Sequence, residues 1–420
     1  MPHLEPFRAL RYGPVAGPLA DLLAPPYDVI DAGAAEGLRD RSPWNAVRLV
    51  LPEGDPPARY RLAAERLEAW AARMILRRDG SPTVTVYRQE FEAPEGRLSR
   101  HALFAALRLE PLGAGVLPHE RTHSGPKEDR LALTLATRAQ LSPVFLAARD
   151  ADGSLLETLR ATLGSAAGPF RTPDGISHLL HPVEDSARIS VLCALAADGP
   201  LLIADGHHRY ETALEVARRT GDALPGSGSV LACVVSERDP GLRIRATHRV
   251  LRAPGAAAGG GDDASPDWPT RLEAGFWLHE LPGTGAREAA AHAARSGRIV
   301  LRAGDVVRAL EPRPDALADA GLEEADAAVP AVPLDRLVVE GLLGRDADAA
   351  TRDGLLSYHR DPGEAWDAAT RPGTAAFLLP PVSLAAVRRA TELGRRLPPK
   401  STYFEPKIPS GLVFRPLDGA

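Results

Sequence analysis

The sequence of 420 residues contains little cysteine, and Cys193 and Cys233 each lie inside an apolar run. Two cysteines cannot build a disulfide framework, so we expect both to be small buried thiols. No uninterrupted apolar run approaches the roughly 18 residues that a membrane helix needs. The first residues show no basic and then apolar signal pattern. We therefore expect a cytoplasmic protein without a membrane segment.

The sequence also lacks an excess of positive charge, because its formal net charge is -5 at pH 7. Without a global basic field or an evident basic recognition helix, nucleic acid is not an expected partner. A phosphate or a nucleotide would have to be bound by local groups. Hydrophobic residues make up 44% of the chain, which is ample for at least one large core, and the length favours two or three subdomains.

Composition and pattern divide the chain into four predicted parts. Residues 1–150 are expected to form an N-terminal α/β region, residues 151–252 a second region, and residues 268–420 a C-terminal α/β region. Between the last two, residues 253–267 contain the stretch "PGAAAGGGDDASP", which has almost nothing to bury. We expect these residues to form a flexible loop rich in glycine and alanine.

The apolar patterns predict an α/β fold of the α+β kind, with a mixed sheet. Helical spacing alternates along the chain with short runs that read as strands. One such run, "AVRLVL" within residues 42–52, is predicted to be a strand. The later stretch "SVLACVVSERDPGLRIRATHRVL" is predicted to be a hairpin with its turn at residues 239–241.

The stretch "LLIADGHHRYETAL", residues 201–214, carries the densest chemistry of the chain. An apolar strand is predicted to end at Ala204 and a helix to start near Tyr210. The backbone amides of residues 206–209 would then lack partners at the positive end of the helix dipole, which makes an anion site. Gly206 would let a ligand approach the backbone, and Arg209 offers a planar fork for phosphate.

The acid of this motif, Asp205, has several roles open to it. It could orient a histidine, bind a metal or deprotonate a hydroxyl. Alternatively it could only cap the helix, with His207 and His208 as ordinary turn residues. A zinc site is disfavoured because adjacent histidines rarely converge on one ion.

A second polar cluster occurs in "HERTHSGPKEDR", where His119, Glu120, His123, Lys127 and Arg130 supply an acid, bases and cations. General-base catalysis needs a carboxylate or imidazole within hydrogen-bond reach of the proton, and Glu120 is the best carboxylate for it. In the alternative interpretation, "KEDR" is only the solvated start of a helix.

A third cluster near the end of the sequence combines Lys400, Ser401, Thr402 and Lys407 in "KSTYFEPK". Ammonium and hydroxyl groups together suit phosphate oxygens, although a plain surface loop would show the same residues. In the segment "THR", His248 and Arg249 are further candidates, with hairpin packing as the alternative.

Seven segments resemble the domain-of-unknown-function 1015 family of bacteria and archaea, in the order typical of that family. They are "APPYDVI", "SPWNAVRLVLP", "HERTHSGPKEDR", "SPVFL", "IADGHHRYETAL", "THRVL" and "KSTYFEPKIPSGLV". The resemblance covers nearly the whole chain, and "DGHHR" and "KSTYFEPK" are its most specific signals.

The "DGHHR" turn also resembles the second motif of the ParB/sulfiredoxin superfamily. Within that superfamily, the motif of the free-serine kinases is the most similar in sequence. This resemblance implies a ParB/sulfiredoxin-like nucleotide-binding core with additional α/β elements. It implies phosphate contacts at Gly206, His207, His208 and Arg209, and places Asp205 near the metal or the substrate hydroxyl. The catalytic glutamate of those kinases cannot be matched by spelling, so Glu120 is inferred from this sequence alone.

Two functions are consistent with these residues. The first is a phosphotransferase that acts on the hydroxyl of a small metabolite such as free L-serine, with ATP or ADP as donor and Mg²⁺ as cofactor. Its expected catalytic residues are Asp205, His208 and Glu120. The alternative is a regulatory protein that binds CTP or ATP in the ParB manner without turnover. The oligomeric state is not written in the sequence.

Overall fold

The computed structural model describes residues 1–120, 125–165, 168–253 and 268–419. The candidate His123 and residues 254–267 of the predicted loop lie outside this part of the chain. Within it, no helix is both long enough and apolar enough to cross a membrane.

The described chain forms two compact units. The first contains the described residues of Met1–Pro118, Thr122–Arg243 and Pro406–Ala420, and the second those of His119–Arg121 and Ile244–Glu405. The end of the chain therefore belongs to the same unit as its beginning. The predicted divisions after residues 150 and 252 stay predictions.

The strands, numbered along the chain, are β1 (Leu4–Glu5), β2 (Leu10–Tyr12), β3 (Leu76–Arg78), β4 (Val84–Ala93), β5 (Gly96–Arg108), β6 (Val116–Leu117), β7 (Ala139–Gln140), β8 (Val144–Ala148), β9 (Phe170–Arg171), β10 (Ser177–Val183), β11 (Leu201–Asp205), β12 (Ser229–Ser236), β13 (Arg243–Arg245), β14 (His248–Arg252), β15 (Phe276–Glu280), β16 (Ile299–Ala303), β17 (Val306–Pro312), β18 (Leu356–His359), β19 (Thr374–Leu378), β20 (Tyr403–Glu405) and β21 (Arg415–Pro416).

The α-helices are α1 (Leu19–Leu22), α2 (Ala32–Arg41), α3 (Val47–Val50), α4 (Ala58–Ala72), α5 (Gly125–Thr137), α6 (Ser154–Thr162), α7 (Ser186–Ala196), α8 (His207–Thr220), α9 (Trp268–Leu272), α10 (Ala286–Ser296), α11 (Pro314–Asp319), α12 (Glu324–Ala327), α13 (Ala331–Leu334), α14 (Gly341–Leu343), α15 (Ala347–Arg352), α16 (Pro362–Ala368) and α17 (Leu384–Glu392). Short 3₁₀ turns occur at Pro14–Ala16, Tyr27–Val29, Leu163–Ser165, Gly221–Ala223 and Pro225–Gly228, and a π-helical turn at Asp335–Glu340.

The first unit is built on one large mixed sheet. Its strand order is β6-β11-β8-β12-β5-β4-β10-β9, with β1 also paired to β5. The pairs β11/β6 and β12/β8 are parallel, whereas β11/β8, β12/β5 and β4/β5 are antiparallel. This arrangement confirms the predicted α/β fold with a mixed sheet.

The core of the first unit lies against one face of this sheet. Leu103, Ala105 and Leu107 are alternate residues of β5 and belong to the same buried cluster, as expected for side chains that point to one face of a strand. Helices α6 and α7 complete this cluster through residues such as Leu159 and Leu192. Tyr210 and Ala213 also belong to it, which fixes α8 to the sheet.

The second unit contains an antiparallel sheet with the order β15-β17-β16-β19-β14-β18. Helices α10 and α16 pack on it, because Ala289, Ala293 and Trp366 share a buried cluster with Val300 and Ala376. The small alanine side chains allow helix and sheet to approach closely.

Two predictions about local structure were wrong. The run "AVRLVL" contains helix α3 instead of a strand, and Asn45 starts it by accepting a hydrogen bond from the amide of Val47 at 2.9 Å. Three buried residues within a run of four are too few to distinguish the period of a helix from that of a strand. The predicted hairpin is also absent, since β12 pairs with β5 and β8, whereas β14 pairs with β18 and β19.

Candidate functional site

The motif "DGHHR" lies where β11 ends and α8 begins. A β-bulge at Ala204 interrupts the pairing of β11 with β8, so that Ile203 faces Leu146 and Asp205 faces Phe145. Such bulges change the direction of the following side chain. Helix α8 starts at His207 and not near Tyr210 as predicted, because Gly206 takes the N-cap position in the left-handed conformation. The two histidines and Arg209 thus belong to the first turn of the helix.

Gly206 is required here for two reasons. Its φ of +94° is unfavourable for a residue with a side chain. In addition, a Cβ atom at this position would lie 2.9 Å from Cζ of Arg209, which folds directly over the glycine. The guanidinium therefore occupies the space beside the helix N-terminus that a larger residue would fill.

Asp205 binds two cations at once. Nζ of Lys407 donates to its Oδ1, and Nη2 of Arg209 donates to its Oδ2. Nη1 of Arg209 also donates to the carbonyl of Pro143. We call Asp205, Arg209 and Lys407 the Asp205 cluster; the three side chains are 10–16% exposed.

The backbone around Lys407 is held against the central strands. Nε2 of Gln89 in β4 donates to the carbonyl of Lys407 at 3.2 Å, and Arg100 in β5 donates to the carbonyl of Pro406. Both side chains are buried. These contacts explain how a lysine near the end of the chain reaches the end of β11.

The two cations control the charge of Asp205. Burial by itself would raise the pKa of this carboxyl, but Lys407 and Arg209 outweigh burial and hold the pKa below its usual range. A carboxylate with a lowered pKa is a weak base. The structure therefore favours Asp205 as the group that positions two cations, and does not favour it as the acceptor of a substrate proton.

The geometry also decides against the capping interpretation of Asp205. The N-cap residue is Gly206, which has no side chain, and both carboxylate oxygens of Asp205 face cations. Arg209 lies in the first turn of α8, directly after the N-cap Gly206 and the two histidines.

Helix α5 contributes further charges to the first unit. Lys127 forms an ion pair with Glu211 of α8, which links the two helices. Arg130 is buried; it donates to Asp129 at 2.8 Å through Nε and to the carbonyl of Val50 at 2.6 Å. Burial would raise the pKa of Asp129, but Arg130 keeps it lower than usual. In the segment "KEDR", the alternative of a solvated helix start therefore fits only Glu128, which is exposed, whereas Lys127, Asp129 and Arg130 are paired and at least partly buried.

Sequence reasoning did not select Tyr27 or Thr212, although both lie beside the predicted site residues. The guanidinium of Arg130 lies over the ring of Tyr27, with Cζ 4.1 Å from the ring centroid. Burial raises the pKa of Tyr27, and Arg209 and Arg130 oppose that rise. Tyr27 belongs to the segment "APPYDVI", so a signal was present in the sequence, but no charged partner for it could be identified there.

A different set of candidates comes together in the second unit, and we call it the Glu120 cluster: His119, Glu120, Lys400, Ser401 and Thr402. Nε2 of His119 lies 2.7 Å from Oγ1 of Thr402, and the amide of Lys400 donates to Oε1 of Glu120 at 3.0 Å. The hydroxyl of Ser401 donates to the carbonyl of Pro398 at 2.7 Å. Lys400 has a φ of +57°, a left-handed conformation that is uncommon for lysine.

The two candidates of the "THR" segment are also in the second unit. Arg249 is fully buried and donates to the carbonyls of Thr247 at 2.9 Å and Pro399 at 3.3 Å. It thereby contacts the segment that leads to Lys400. His248 accepts the amide of Leu379 at 3.2 Å, and burial lowers its pKa to about 4. These contacts are those of an internal packing residue.

The family of the chain follows from its sequence. Residues 4–259 match the family described as "Protein of unknown function (DUF1015)". The chain belongs to this family. No curated protein matches it.

Several solved structures resemble part of this DUF1015 protein. One is a free serine kinase variant in complex with ADP, at 14% identity and a TM-score of 0.36, covering 69% of this chain and 84% of that one. A conserved hypothetical protein from Pyrococcus furiosus has 15% identity and a TM-score of 0.35, covering 70% and 90%. SbnI with a C-terminal truncation, from Staphylococcus aureus, has 12% identity and a TM-score of 0.36, covering 74% and 81%.

Candidate residues that are close together in the sequence of this DUF1015 protein do not all belong to the same unit. Lys127 and Arg130 belong to the first unit with the "DGHHR" motif, whereas His119 and Glu120, from the same predicted loop, belong to the second. The predicted "KSTYFEPK" cluster is divided as well. Lys407 binds Asp205, whereas the amide of Lys400 binds Glu120.

Lysine itself is a signal that points to these segments. The whole sequence contains three lysines, Lys127, Lys400 and Lys407, among 50 lysine and arginine residues. Where arginine fills nearly every other basic position, a lysine indicates a site that suits a compact ammonium group on a flexible stem. All three lie in the segments already selected for their chemistry.

The described residues do not fit the expected magnesium at Asp205. Both oxygens of this carboxylate are bound to cations, and a metal would have to displace Lys407 or Arg209. Across residues 1–120, 125–165, 168–253 and 268–419, no group of three or more His, Cys, Asp or Glu side chains could hold a metal ion. No chemical step is therefore assigned to magnesium held by Asp205.

Proposed function

We propose that this DUF1015 protein is a phosphotransferase that moves a phosphoryl group from ATP or ADP to the hydroxyl of a small metabolite, with free L-serine as the first candidate. The observation that carries the proposal is the Asp205 cluster at the N-terminus of α8. Two cations are fixed there beside the amides of the first helical turn.

Phosphoryl transfer depends mainly on positioning and on neutralising charge, which is what this arrangement supplies. Gly206, His207, His208 and Arg209 would contact the nucleotide phosphates through the first turn of α8. Lys407 would neutralise the charge that develops on the transferred group. Asp205 would hold Arg209 and Lys407 in place while remaining ionised, because its pKa is lowered.

Other candidates keep their proposed roles. Glu120 is the proposed acceptor of the hydroxyl proton, and Lys400, Ser401 and Thr402 are proposed to bind phosphate. In the first unit, Lys127 and Arg130 are proposed to add positive charge for the nucleotide. The roles in the two units are proposed separately.

The experiment is a product search with a matched pair of variants. The full chain is incubated with ATP or ADP, with and without Mg²⁺, and with a pool of small hydroxy compounds, and mass spectrometry identifies any phosphorylated product. Lys407→Met is compared with Arg218→Met, since Arg218 lies on α8, the helix that contains Arg209, with its side chain 70% exposed. We expect turnover to fall at least 100-fold in Lys407→Met and to stay unchanged in Arg218→Met.

Calorimetry of nucleotide binding separates the outcomes. Nucleotide binding that Lys407→Met weakens, without any product, would favour the regulatory alternative over the phosphotransferase. A Lys407→Met variant with full turnover would overturn the role of the Asp205 cluster. Lys407→Arg, which keeps the positive charge, is expected to recover part of the turnover and to exclude misfolding as the cause.

A further inference from the structure

A small cavity of about 50 Å³ lies inside the first unit between α5 and α8. Seven of its lining residues carry side-chain donors: Tyr27, Arg130, Thr134, Gln140, Ser142, Arg209 and Thr212. Three of these, Thr134, Gln140 and Ser142, already form hydrogen bonds with other residues. The rest of the lining is largely apolar and includes Val50, Leu133, Leu141, Ala213 and Val230. The cavity therefore combines polar groups with apolar side chains that suit a short carbon chain.

The hydroxyl of Thr212 is buried in this lining without a partner among the described residues. The residue is 5% exposed, and its Oγ1 makes no hydrogen bond there. Threonines inside helices usually donate to the carbonyl four residues earlier, as Thr220 of the same helix does to Val216 at 2.9 Å. An unpaired buried hydroxyl is unfavourable, so this one is suited to a ligand.

The two arginines of the lining keep donors available. A guanidinium has five N–H groups. Hydrogen bonds with the described residues use three of them in Arg130 and two in Arg209. Each arginine is held in position by its carboxylate partner, and both arginines line the cavity.

The charge near the cavity favours a ligand with a single negative charge. Seven charged groups lie in two sets. Arg59 and Arg130 form ion pairs with Asp129. Arg209 and Lys407 form ion pairs with Asp205, and Asp28 also attracts Arg209. Four cations and three carboxylates leave one net positive charge. A monocarboxylate balances this charge.

We propose that this cavity binds the carboxylate end of a small hydroxy acid or amino acid, through Arg130, Arg209 and the hydroxyl of Thr212. This inference rests on the proposed function, because it makes such an acid the phosphoryl acceptor. It names the chemical class that the acceptor must have: one carboxylate, a short carbon chain and a hydroxyl.

The test uses two variants with the same chemical change. Thr212→Val and Thr220→Val each replace a hydroxyl by a methyl group on α8, but only Thr212 lines the cavity. Calorimetry without nucleotide measures the binding of L-serine, D-glycerate and L-lactate. Serinamide and glycerol serve as probes without a carboxylate, and inorganic phosphate as the other anion.

We expect at least one carboxylate to bind the wild type and Thr220→Val equally, and to bind Thr212→Val about tenfold more weakly, as for one hydrogen bond to a charged group. Equal affinity for all three proteins would overturn the assignment. So would binding of serinamide as tight as that of L-serine, or displacement of every carboxylate by phosphate at equal concentration.

The two proposals fail in different ways. Carboxylate binding without phosphoryl transfer to any bound acid would overturn the phosphotransferase and keep the cavity assignment. Efficient transfer to glycerol, with no binding of carboxylates, would overturn the cavity assignment and keep the phosphotransferase.

Discussion

Asp205 and Lys407 form an ion pair across 202 positions of the chain, with Nζ of Lys407 donating to Oδ1 of Asp205. The same carboxylate binds Arg209 four residues away. One acidic side chain thus joins the helix N-terminus to the end of the chain. Asp205 thereby fixes both cations, and for the proposed nucleotide this would remove part of the entropy that binding otherwise costs.

Replacing Asp205 by asparagine tests this role. Asp205→Asn is expected to fold, but with a free energy of unfolding lower by about 2–4 kcal/mol at pH 7, since two buried cations lose their counter-ion. Turnover is expected to fall at least 100-fold, while nucleotide still binds because positive charge remains. Urea unfolding and the product assay measure the two effects. Full activity in this variant would contradict the proposed role.

The same pair has a defined pH dependence. The pKa of Asp205 is lowered in the folded state, so its stabilising contribution is present above the unfolded pKa of about 4 and is lost as the pH falls below it. The difference in unfolding free energy between wild type and Asp205→Asn is therefore expected to be constant from pH 6 to 8 and to shrink below pH 4. If this difference grew on acidification, the pKa of Asp205 would be raised and not lowered in the folded state, which would contradict the prediction.

Gly206 can be tested against a glycine of the same backbone conformation. Gly206 and Gly54 both have a φ of +94°, but an alanine at Gly54 would meet no described atom within 4 Å. Gly54→Ala is expected to lose about 1–2 kcal/mol of stability from backbone strain. Gly206→Ala is expected to lose at least as much and also to displace Arg209, so that nucleotide binding weakens only in this variant. Calorimetry decides the comparison.

A buried acid in the second unit predicts a pH effect of opposite sign. Asp335 is 3% exposed; burial raises its pKa to about 6, against the attraction of Arg249, whose Nε lies 3.5 Å away. The folded state therefore binds the proton more tightly than the unfolded state. Stability from this group is fully present below pH 4 and is lost as the pH rises through 6.

Asparagine at this position imitates the neutral acid. At pH 8, Asp335→Asn is expected to exceed the wild type in unfolding free energy by roughly 2–3 kcal/mol, from about two pKa units. At pH 4 the two proteins are expected to be equal. Urea titrations at both values measure the difference, and a variant less stable than the wild type at pH 8 would contradict the prediction.

The two cysteines are expected to be unreactive in the folded protein. Burial raises the pKa of Cys193 to about 11 and that of Cys233 to about 12, so neither is a thiolate at pH 8. A thiol reagent should therefore label neither residue of the native chain within minutes and both in urea. Peptide mass spectrometry identifies the labelled cysteine. Rapid labelling of Cys193 or Cys233 in the native protein would contradict the prediction.

The turn that carries Asp205 and Arg209 could be located from the sequence because the residues of this motif are consecutive. An apolar run followed by Asp-Gly-His-His-Arg predicted a strand, a turn and a helix N-terminus, and β11 and α8 have this arrangement. The start of the helix was predicted three residues too late, because Gly206 takes the N-cap position and the helix begins at His207. Tyr27 lies in a family segment but was missed because its partner Arg130 is distant in the sequence. Thr212 was missed because a threonine in a helix has no distinctive pattern.

The sequence by itself determined the mixed α/β character, the turn between β11 and α8 and the segments in which polar residues are concentrated, because these depend on residues that are close along the chain. Only the tertiary structure decided that Lys407 is the partner of Asp205, that Lys400 belongs with Glu120, and that a cavity lies beside Thr212. Each of these depends on contacts between distant segments. Local propensities cannot predict such contacts, because the residues concerned are far apart in the sequence and meet only when the chain folds and buries them.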